Sequence, residues 1–501
     1  MNPKNCRKSR ATSLVAIIVI ACWFGTSADA ATWYVDSSAT GARNGTSWAN
    51  AWTTLNEIAG ATAGDTVYIS GGPGGSNRNY TVAAGGWTPS SGSSTNRITY
   101  QIGQDASHNG TATFICSAGF VSGASNIVIS GHAGDGAMHF KLQQSGGGFA
   151  FTLTGQTNVR LSYINGGQDT RTWFYANDDG CSGFEVDHCY FYKLTHSEDD
   201  VVLYLRTYGL GYDNCKIHHN EFHCPHRPNT KPDGFGDDFW SGQNWSGISF
   251  YNNKCVSYPV SQYLASQHQD GSQPLGGDHI KWYNNYFENV TGYPFYGDAY
   301  YAGFSNLYIF NNIIVLTDPE VQSEDSPQGI AINSEMTNAP FSNIIVSNNL
   351  IADYGGQYAI NLGDRGPGTI SYGSNVGLYN NVATNNTNQH NGHPVFGNVG
   401  NPKVANSNNV NFIPASVSAG VFVSYRQNHA GTADFHLRMS ASSLIGKGTN
   451  LSANAAQCPE IMFDRDGKPR PTSGAWDIGP YVVGGGQPAA PTRLRIVPKG
   501  Q

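Results

Sequence analysis

Apolar and polar positions through the middle of the chain repeat one phrase, apolar-x-apolar-x-x-Asn-x-apolar. It is complete in Cys215-Lys-Ile-His-His-Asn-Glu-Phe222, Ile248-Ser-Phe-Tyr-Asn-Asn-Lys-Cys255, Ile280-Lys-Trp-Tyr-Asn-Asn-Tyr-Phe287, Leu307-Tyr-Ile-Phe-Asn-Asn-Ile-Ile314 and Ile344-Ile-Val-Ser-Asn-Asn-Leu-Ile351. Val376-Gly-Leu-Tyr-Asn-Asn-Val-Ala383 follows it more loosely, and Phe184-Glu-Val-Asp-His-Cys-Tyr-Phe191 has Cys in place of the Asn. Val159-Arg-Leu and Ile127-Val-Ile are weaker copies. The fixed Asn falls at Asn220, Asn253, Asn285, Asn312, Asn349 and Asn381, in steps of 33, 32, 27, 37 and 32 residues. Apolar residues at alternate positions predict a short strand with one face buried. Their return at this spacing predicts a repeat architecture rather than separate domains.

The segments between copies carry short β-rich pieces separated by Gly, Asn, Asp and Ser, with no helical periodicity. Parallel strands need long returns, and here only further strands can supply them. The result is a coil. Coils stacked at the strand spacing of about 4.8 Å bring each Asn over the next, where its amide can donate to and accept from its neighbours. The asparagines are therefore read as scaffold. At the front of the chain, Thr32–Asp36 and Thr66–Ile69 read as strands, and Trp52, Leu55 and Ile58 predict one apolar face of a short helix within residues 49–59. A helix there suits the cap that an open solenoid end requires.

Trp33-Tyr-Val-Asp36, Gly45-Thr-Ser-Trp48 and Gly64-Asp-Thr-Val-Tyr-Ile69 resemble the N-terminal cap of secreted right-handed parallel β-helix proteins of the pectin-lyase-like superfamily. Ala433-Asp-Phe-His-Leu437, Ser443-Leu-Ile-Gly-Lys-Gly448, Asp464-Arg-Asp-Gly-Lys-Pro-Arg470 and Asp477-Ile-Gly479 resemble their closing segment. The resemblance spans residues 32–482 and implies an all-β solenoid of about 10 coils. The expected layout is a signal peptide over 1–30, a cap and first strands over 31–97, the β-helix over 98–412, a closing segment over 413–482 and a flexible tail over 483–501. The resemblance also implies action on a polysaccharide, as lyase or glycoside hydrolase, with a non-catalytic glycan-binding or adhesive protein as the alternative.

Composition agrees with a folded, turn-rich protein: 61 Gly, 12% aromatic and only 13% charged residues in 501. Lys4, Arg7, Lys8 and Arg10, then an apolar run from Ala11 to Phe24, then Ala28-Asp-Ala30, read as an export signal. Val19-Ile-Ala-Cys22 also resembles a lipobox, which would anchor a lipid on Cys22. Both readings place the chain outside the cytoplasm, secreted or in a bacterial cell envelope. No later stretch of about 18 apolar residues is present to cross a membrane. Beyond residue 30 there remain 24 Lys+Arg and 34 Asp+Glu, a net charge of −10. That balance argues against nucleic acid as a partner. Seven cysteines remain beyond residue 30, an odd number with no zinc-like spacing, and are read as buried thiols. A monomer is expected.

The interior of such a coil is packed, so chemistry must lie outside. His268-Gln-Asp-Gly271 and Gly236-Asp-Asp238 each begin 12 residues before a copy of the phrase, so Asp270 and Asp238 share one offset on adjacent coils. Asp233 precedes them, and Asp298 lies near that offset on the next coil. His268, Asp270, Asp237 and Asp238 are the candidate catalytic residues, as paired carboxylates for hydrolysis or an imidazole base for a lyase. Asp233 and Asp298 are candidate Ca²⁺ ligands. Trp240, Trp245, Tyr296 and Tyr300, read as loop aromatics, and Lys281 and Arg365 are the candidate substrate-binding residues. His218, His219, His223 and His226 have the count of a metal site, but the first two sit inside the phrase and read as scaffold. Asp237-Asp238 resembles the double Asp of polygalacturonase-like hydrolases, without their Gly-His-Gly or Arg-x-Lys partners.

Overall fold

In a computed structural model, residues 30–483 are described except 118, 145–148, 167–171, 178–180, 193–202, 207–213, 227–239, 260–269, 291, 318–328, 355–357, 364–368, 385–394, 398–402, 413–419 and 426–432. Each copy of the repeated phrase forms a strand, a corner and a second strand. Ile248–Tyr251 is the first strand of one copy, and Lys254–Pro259 is the second. Equivalent strands pair in parallel from coil to coil. Cys215 stands opposite Ile248, Ile280 opposite Leu307, and Ile344 opposite Val376. The second strands stack into a 12-stranded sheet. The ladder of first strands begins at the front of the chain, where Thr32–Val35 pairs with Thr66–Ile69 and that strand with Ile98–Ile102. A third side is built by Phe149–Thr154, Thr172–Asn177, Leu203–Arg206, Trp240–Ser246 and the start of Ser272–Tyr283. Phe295–Ala299, Ile330–Ser334 and Ile360–Leu362 continue that side as a separate parallel sheet. This is a parallel β-helix.

The Asn-Asn pair at each corner has two separate tasks. The first Asn takes the left-handed conformation: Asn252, Asn284, Asn311, Asn348 and Asn380 have φ of 55°, 57°, 56°, 55° and 58°. Asn tolerates that region better than other non-glycine residues. The second Asn forms the ladder. Asn253 Nδ2 donates to Asn285 Oδ1 at 3.1 Å, Asn285 Nδ2 to Asn312 Oδ1 at 3.1 Å, and Asn312 Nδ2 to Asn349 Oδ1 at 2.9 Å. Each amide also donates to a strand carbonyl, as Asn285 Nδ2 does to Phe250 at 3.0 Å. The ladder thus satisfies backbone groups that water cannot reach.

Two expectations about the ends change. The helix over residues 49–59 is absent: Trp52 bridges to Val35 in extended backbone, and only Leu55–Glu57 forms a 3₁₀ turn. The apolar spacing instead lets Trp52 stack on Trp33, with centroids 5.3 Å apart, while Leu55 enters the core. The closing segment also runs back over the outer face of the first-strand sheet. Cys458, Ile461 and Trp476 pack on Tyr308, Phe310 and Ile345, and Arg465 Nη1 donates to the carbonyls of Asn285 and Asn311 at 2.9 and 3.2 Å. That cover explains why outward positions on the later coils are apolar and buried. Among the described residues, no helix is long and apolar enough to cross a membrane. The expected signal peptide, Cys22 and the tail beyond Val483 lie outside the described residues.

Candidate active site

His268, Asp237, Asp238, Asp233 and Arg365 lie outside the described residues. The remaining candidates separate into an interior group and an outward group.

Trp240 and Trp245 belong to the interior. They lie on the strand Trp240–Ser246, not in a loop, and both are fully buried. Trp240 stacks on Phe250 at 4.7 Å, and Trp245 Nε1 donates to the Leu205 carbonyl at 3.0 Å. Five residues apart, they would face opposite sides of a regular strand. The pairing with Ser272–Tyr283 breaks between Gln243–Leu275 and Trp245–Gly277, beside Gly276 with φ 95°, and the bend turns both rings inward. A sugar cannot stack on either. Trp240→Ala is expected to cost about 3–5 kcal/mol of stability, read as a lowered denaturation midpoint, with glycan affinity unchanged. Lys281 is also corrected. Its ammonium lies 2.8 Å from both carboxylate oxygens of Glu460 in the closing segment, so its charge is already matched.

The outward group lies on the third side. Along Phe295–Ala299 the side chains alternate, with Phe295, Gly297 and Ala299 facing in and Tyr296 and Asp298 facing out. Asp298 is opposite Asn333, and Asn361 on the next coil donates to Asn333 Oδ1 at 3.3 Å. Asp298 is 6% exposed, and its Oδ1 has no hydrogen-bond partner among the described residues. Burial, then the charge of Glu335, raises the Asp298 pKa to about 6, against the opposing hydrogen bond from the Glu335 amide. Tyr296 stacks on Tyr293 with centroids 4.8 Å apart. Burial and then the charges of Asp298 and Asp270 raise the Tyr296 pKa, which places all three groups in one field. Asp270 is buried and accepts the Tyr293 amide at 2.9 Å, so it also orders the approach to this strand. Beyond Asp298 the chain turns at Tyr300 and Tyr301, two rings 51% and 49% exposed.

Sequence reading missed Asn333, Glu335 and Asn361. Spacing from the repeated phrase hides them: Asp298 lies nine residues before Leu307, but Asn333 lies eleven before Ile344. Ca²⁺ takes about six to eight oxygen ligands. Among the described residues Asp298 has one neighbouring carboxylate, Glu335, close enough to shift it, so these residues alone fall short of a Ca²⁺ cage.

A second polar cluster lies on the outer face of the first-strand sheet, on coils ahead of the closing segment's cover. Asp187 is fully buried. It accepts Arg160 Nε on Oδ1 at 2.7 Å, and Arg160 Nη2, Ser162 Oγ and His188 Nδ1 on Oδ2 at 2.9, 2.9 and 2.8 Å. Burial acts to raise its pKa, but His188 and Arg160 hold it well below the usual carboxylate range. His218 stands beside Asp187 and places Nε2 at 2.9 Å from Glu185 Oε1. That contact, against burial, lowers the Glu185 pKa. Tyr163, His188 and His219 take the left-handed corner that Asn holds on later coils, with φ of 54°, 53° and 56°, and their rings stack.

No protein-family model matches the chain, and no curated protein matches it. Solved structures do. Pectate lyase Pel9A is 14% identical, with a TM-score of 0.40, over 90% of this chain and 96% of its own. A PL6 family polysaccharide lyase from Pseudopedobacter saltans is 12% identical, with a TM-score of 0.42, over 76% of this chain and 98% of its own. The catalytic unit of a thermostable GH87 α-1,3-glucanase from Streptomyces thermodiastaticus is 13% identical, with a TM-score of 0.36, over 70% and 64%. The chain is a parallel β-helix. For this β-helix the coil-to-coil pairing decides the fold, and at such low identities the likeness extends to nothing finer.

Proposed function

We propose that this β-helix is a secreted glycoside hydrolase that cuts a neutral polysaccharide along its third side, with Asp298 as the proton donor. Asp298 carries the reading. A buried carboxyl oxygen that no described residue bonds is spare for chemistry, and a carboxyl with a pKa near 6 keeps a proton to give where ordinary aspartates do not. In the reaction Asp298 donates its proton to the glycosidic oxygen as the bond from that oxygen to the anomeric carbon breaks. Water adds to that carbon and gives its proton to a second carboxylate. Glu335 fits that second role, because its charge already reaches Asp298. Exposed Tyr300 and Tyr301 supply apolar ring surface beside the acid.

A neutral sugar suits the charges better than a uronate. Among the described residues of this sheet the outward positions are Tyr296, Asp298, Ala331, Asn333 and Asn361, with Glu335 and Asp270 beside them, and Lys281 is paired elsewhere. An acidic sugar would meet like charge. A panel of neutral and acidic glycans, assayed for new reducing ends and for the ultraviolet absorbance of an unsaturated uronate, tests this. Reducing ends from a neutral glycan without that absorbance are expected. Absorbance from a uronate would mean a lyase, and binding without cleavage would mean an adhesive protein; either result overturns the hydrolase.

A further inference from the structure

We infer that Glu185, Asp187 and His218 form a site for one first-row transition-metal ion of the Zn²⁺ class, on the outer face of the first-strand sheet. The inference is independent of the proposed hydrolysis, which uses a different side of the coil. Glu185 and Asp187 alternate on one strand and so point the same way. The next coil sets Lys216 opposite Glu185 and His218 opposite Asp187. A ligating atom from each of the three lies within 4.8 Å of the other two. Ligands about 2 Å from one tetrahedral ion stand about 3.3 Å apart, inside that 4.8 Å limit, so side-chain rotations are needed to close the set.

Two of the three donors are held as metal ligands are commonly held, Asp187 and His218 each being fixed by hydrogen bonds away from the shared space. Asp187 Oδ2 carries three of the four contacts to that carboxylate. Among the described residues Oδ1 accepts only Arg160 Nε and keeps a lone pair. Arg160 pairs with Asp187, while Glu185 meets Arg160 only at 3.8 Å and lies in the field of Arg97, so its charge is matched more loosely than that of Asp187. His218 has a relay for its proton. Without metal, Asn252 Nδ2 donates to His219 Nε2 at 3.1 Å, His219 Nδ1 faces His218 Nδ1 at 2.8 Å, and His218 Nε2 faces Glu185 at 2.9 Å. Metal on His218 Nε2 requires its proton on Nδ1. The His219 imidazole can then accept there and carry its own proton on Nε2, with the Asn252 amide rotated to accept it. Each imidazole keeps one proton throughout.

The donor set selects the ion. Ca²⁺ and Mg²⁺ prefer oxygen alone, whereas one imidazole with two carboxylates suits Zn²⁺ and its row neighbours. Three protein ligands leave a fourth position open, the arrangement of reactive rather than sealed zinc sites. It opens on the Glu185 side, whose side chain is 25% exposed while that of Asp187 is buried.

The full chain, stripped with chelator, is titrated with Co²⁺ while visible absorption is followed. Zn²⁺ competes in a second titration, and bound metal is counted by elemental analysis. One ion per chain is expected, with Ca²⁺ failing to compete. His218→Ala and Glu185→Gln should each weaken binding by at least about 100-fold, since even outer partners of metal ligands are worth 10–100-fold. Asp298→Asn should bind as the unaltered chain does. Zn²⁺ should also move the imidazole ¹⁵N resonances of His218 and His219 in the unaltered chain, an arm that needs no variant to fold. No stoichiometric uptake, uptake indifferent to both ligand variants, or unmoved imidazole resonances would overturn the site.

Discussion

Asp298→Asn is expected to lower kcat about 10³-fold, the middle of the range for loss of a general acid, without unfolding the coil. The pH dependence follows from the same group. Asp298 must be protonated to act, so kcat/KM of the unaltered enzyme should fall as pH rises through about 6. Stability should move the other way in the variant. The folded pKa is raised above the ordinary 3.8, so folding favours the protonated form, and the unaltered chain loses stability as pH rises from about 4 to 6. The difference of about two pKa units sets that loss at no more than about 3 kcal/mol. Asn carries no charge, so Asp298→Asn should melt higher than the unaltered chain above pH 6 and lose the advantage near pH 4. A variant that is inactive and less stable at pH 8 would show that Asp298 serves the fold, and the proposed acid would be abandoned.

The second large effect concerns the ladder. Asn285→Ala is expected to destabilise the chain by at least about 4 kcal/mol, because each buried group left without a partner costs about 1–3 kcal/mol. The side chain accepts the Asn253 amide and Asn253 Nδ2, both at 3.1 Å, and donates to Phe250 and Asn312 at 3.0 and 3.1 Å. Alanine removes all four bonds in the middle of a packed column. Asn409 offers the contrast. It accepts from Asn381 and donates to the Leu378 carbonyl, but it stands half-exposed beyond Asn381, where water can replace it. Asn409→Ala should therefore cost about 1 kcal/mol. Urea unfolding of the two variants measures the difference. Equal costs would mean that the ladder bonds are not what holds the corners.

The ladder was legible in the sequence because its cause is local. Strand, corner and second strand are covalently adjacent, so the eight-residue phrase carries its own geometry. The alternation of Ile248 and Phe250 dictates which side faces in, and Asn-Asn supplies both the left-handed corner and the stacking amide. The same logic exposes columns within the phrase. Counting along it places Glu185 beside Lys216 and Asp187 beside His218. His218 was read as scaffold because it sits inside the phrase, and the partners that suggest otherwise lie one coil earlier.

The third side was less legible because the loops between phrases differ in length. Nine residues separate Asp298 from Leu307, and eleven separate Asn333 from Ile344, so equal offset does not mean equal register. Trp240 and Trp245 show a related failure. Their odd spacing argues against a shared face, and only the bend beside Gly276 brings both inward. Lys281 failed for a third reason. Its partner Glu460 is 179 residues away, on a segment that folds back along the coil.

The sequence by itself determined the coil, its inward columns and its asparagine ladder, because these follow from alternation and turn chemistry over a few residues. Tertiary structure alone decided which polar groups stand together on the third side and which are covered by the closing segment: Asp298 with Asn333 and Glu335, and Lys281 with Glu460. Loop length and the return of the closing segment set those meetings, and neither is written in the local pattern.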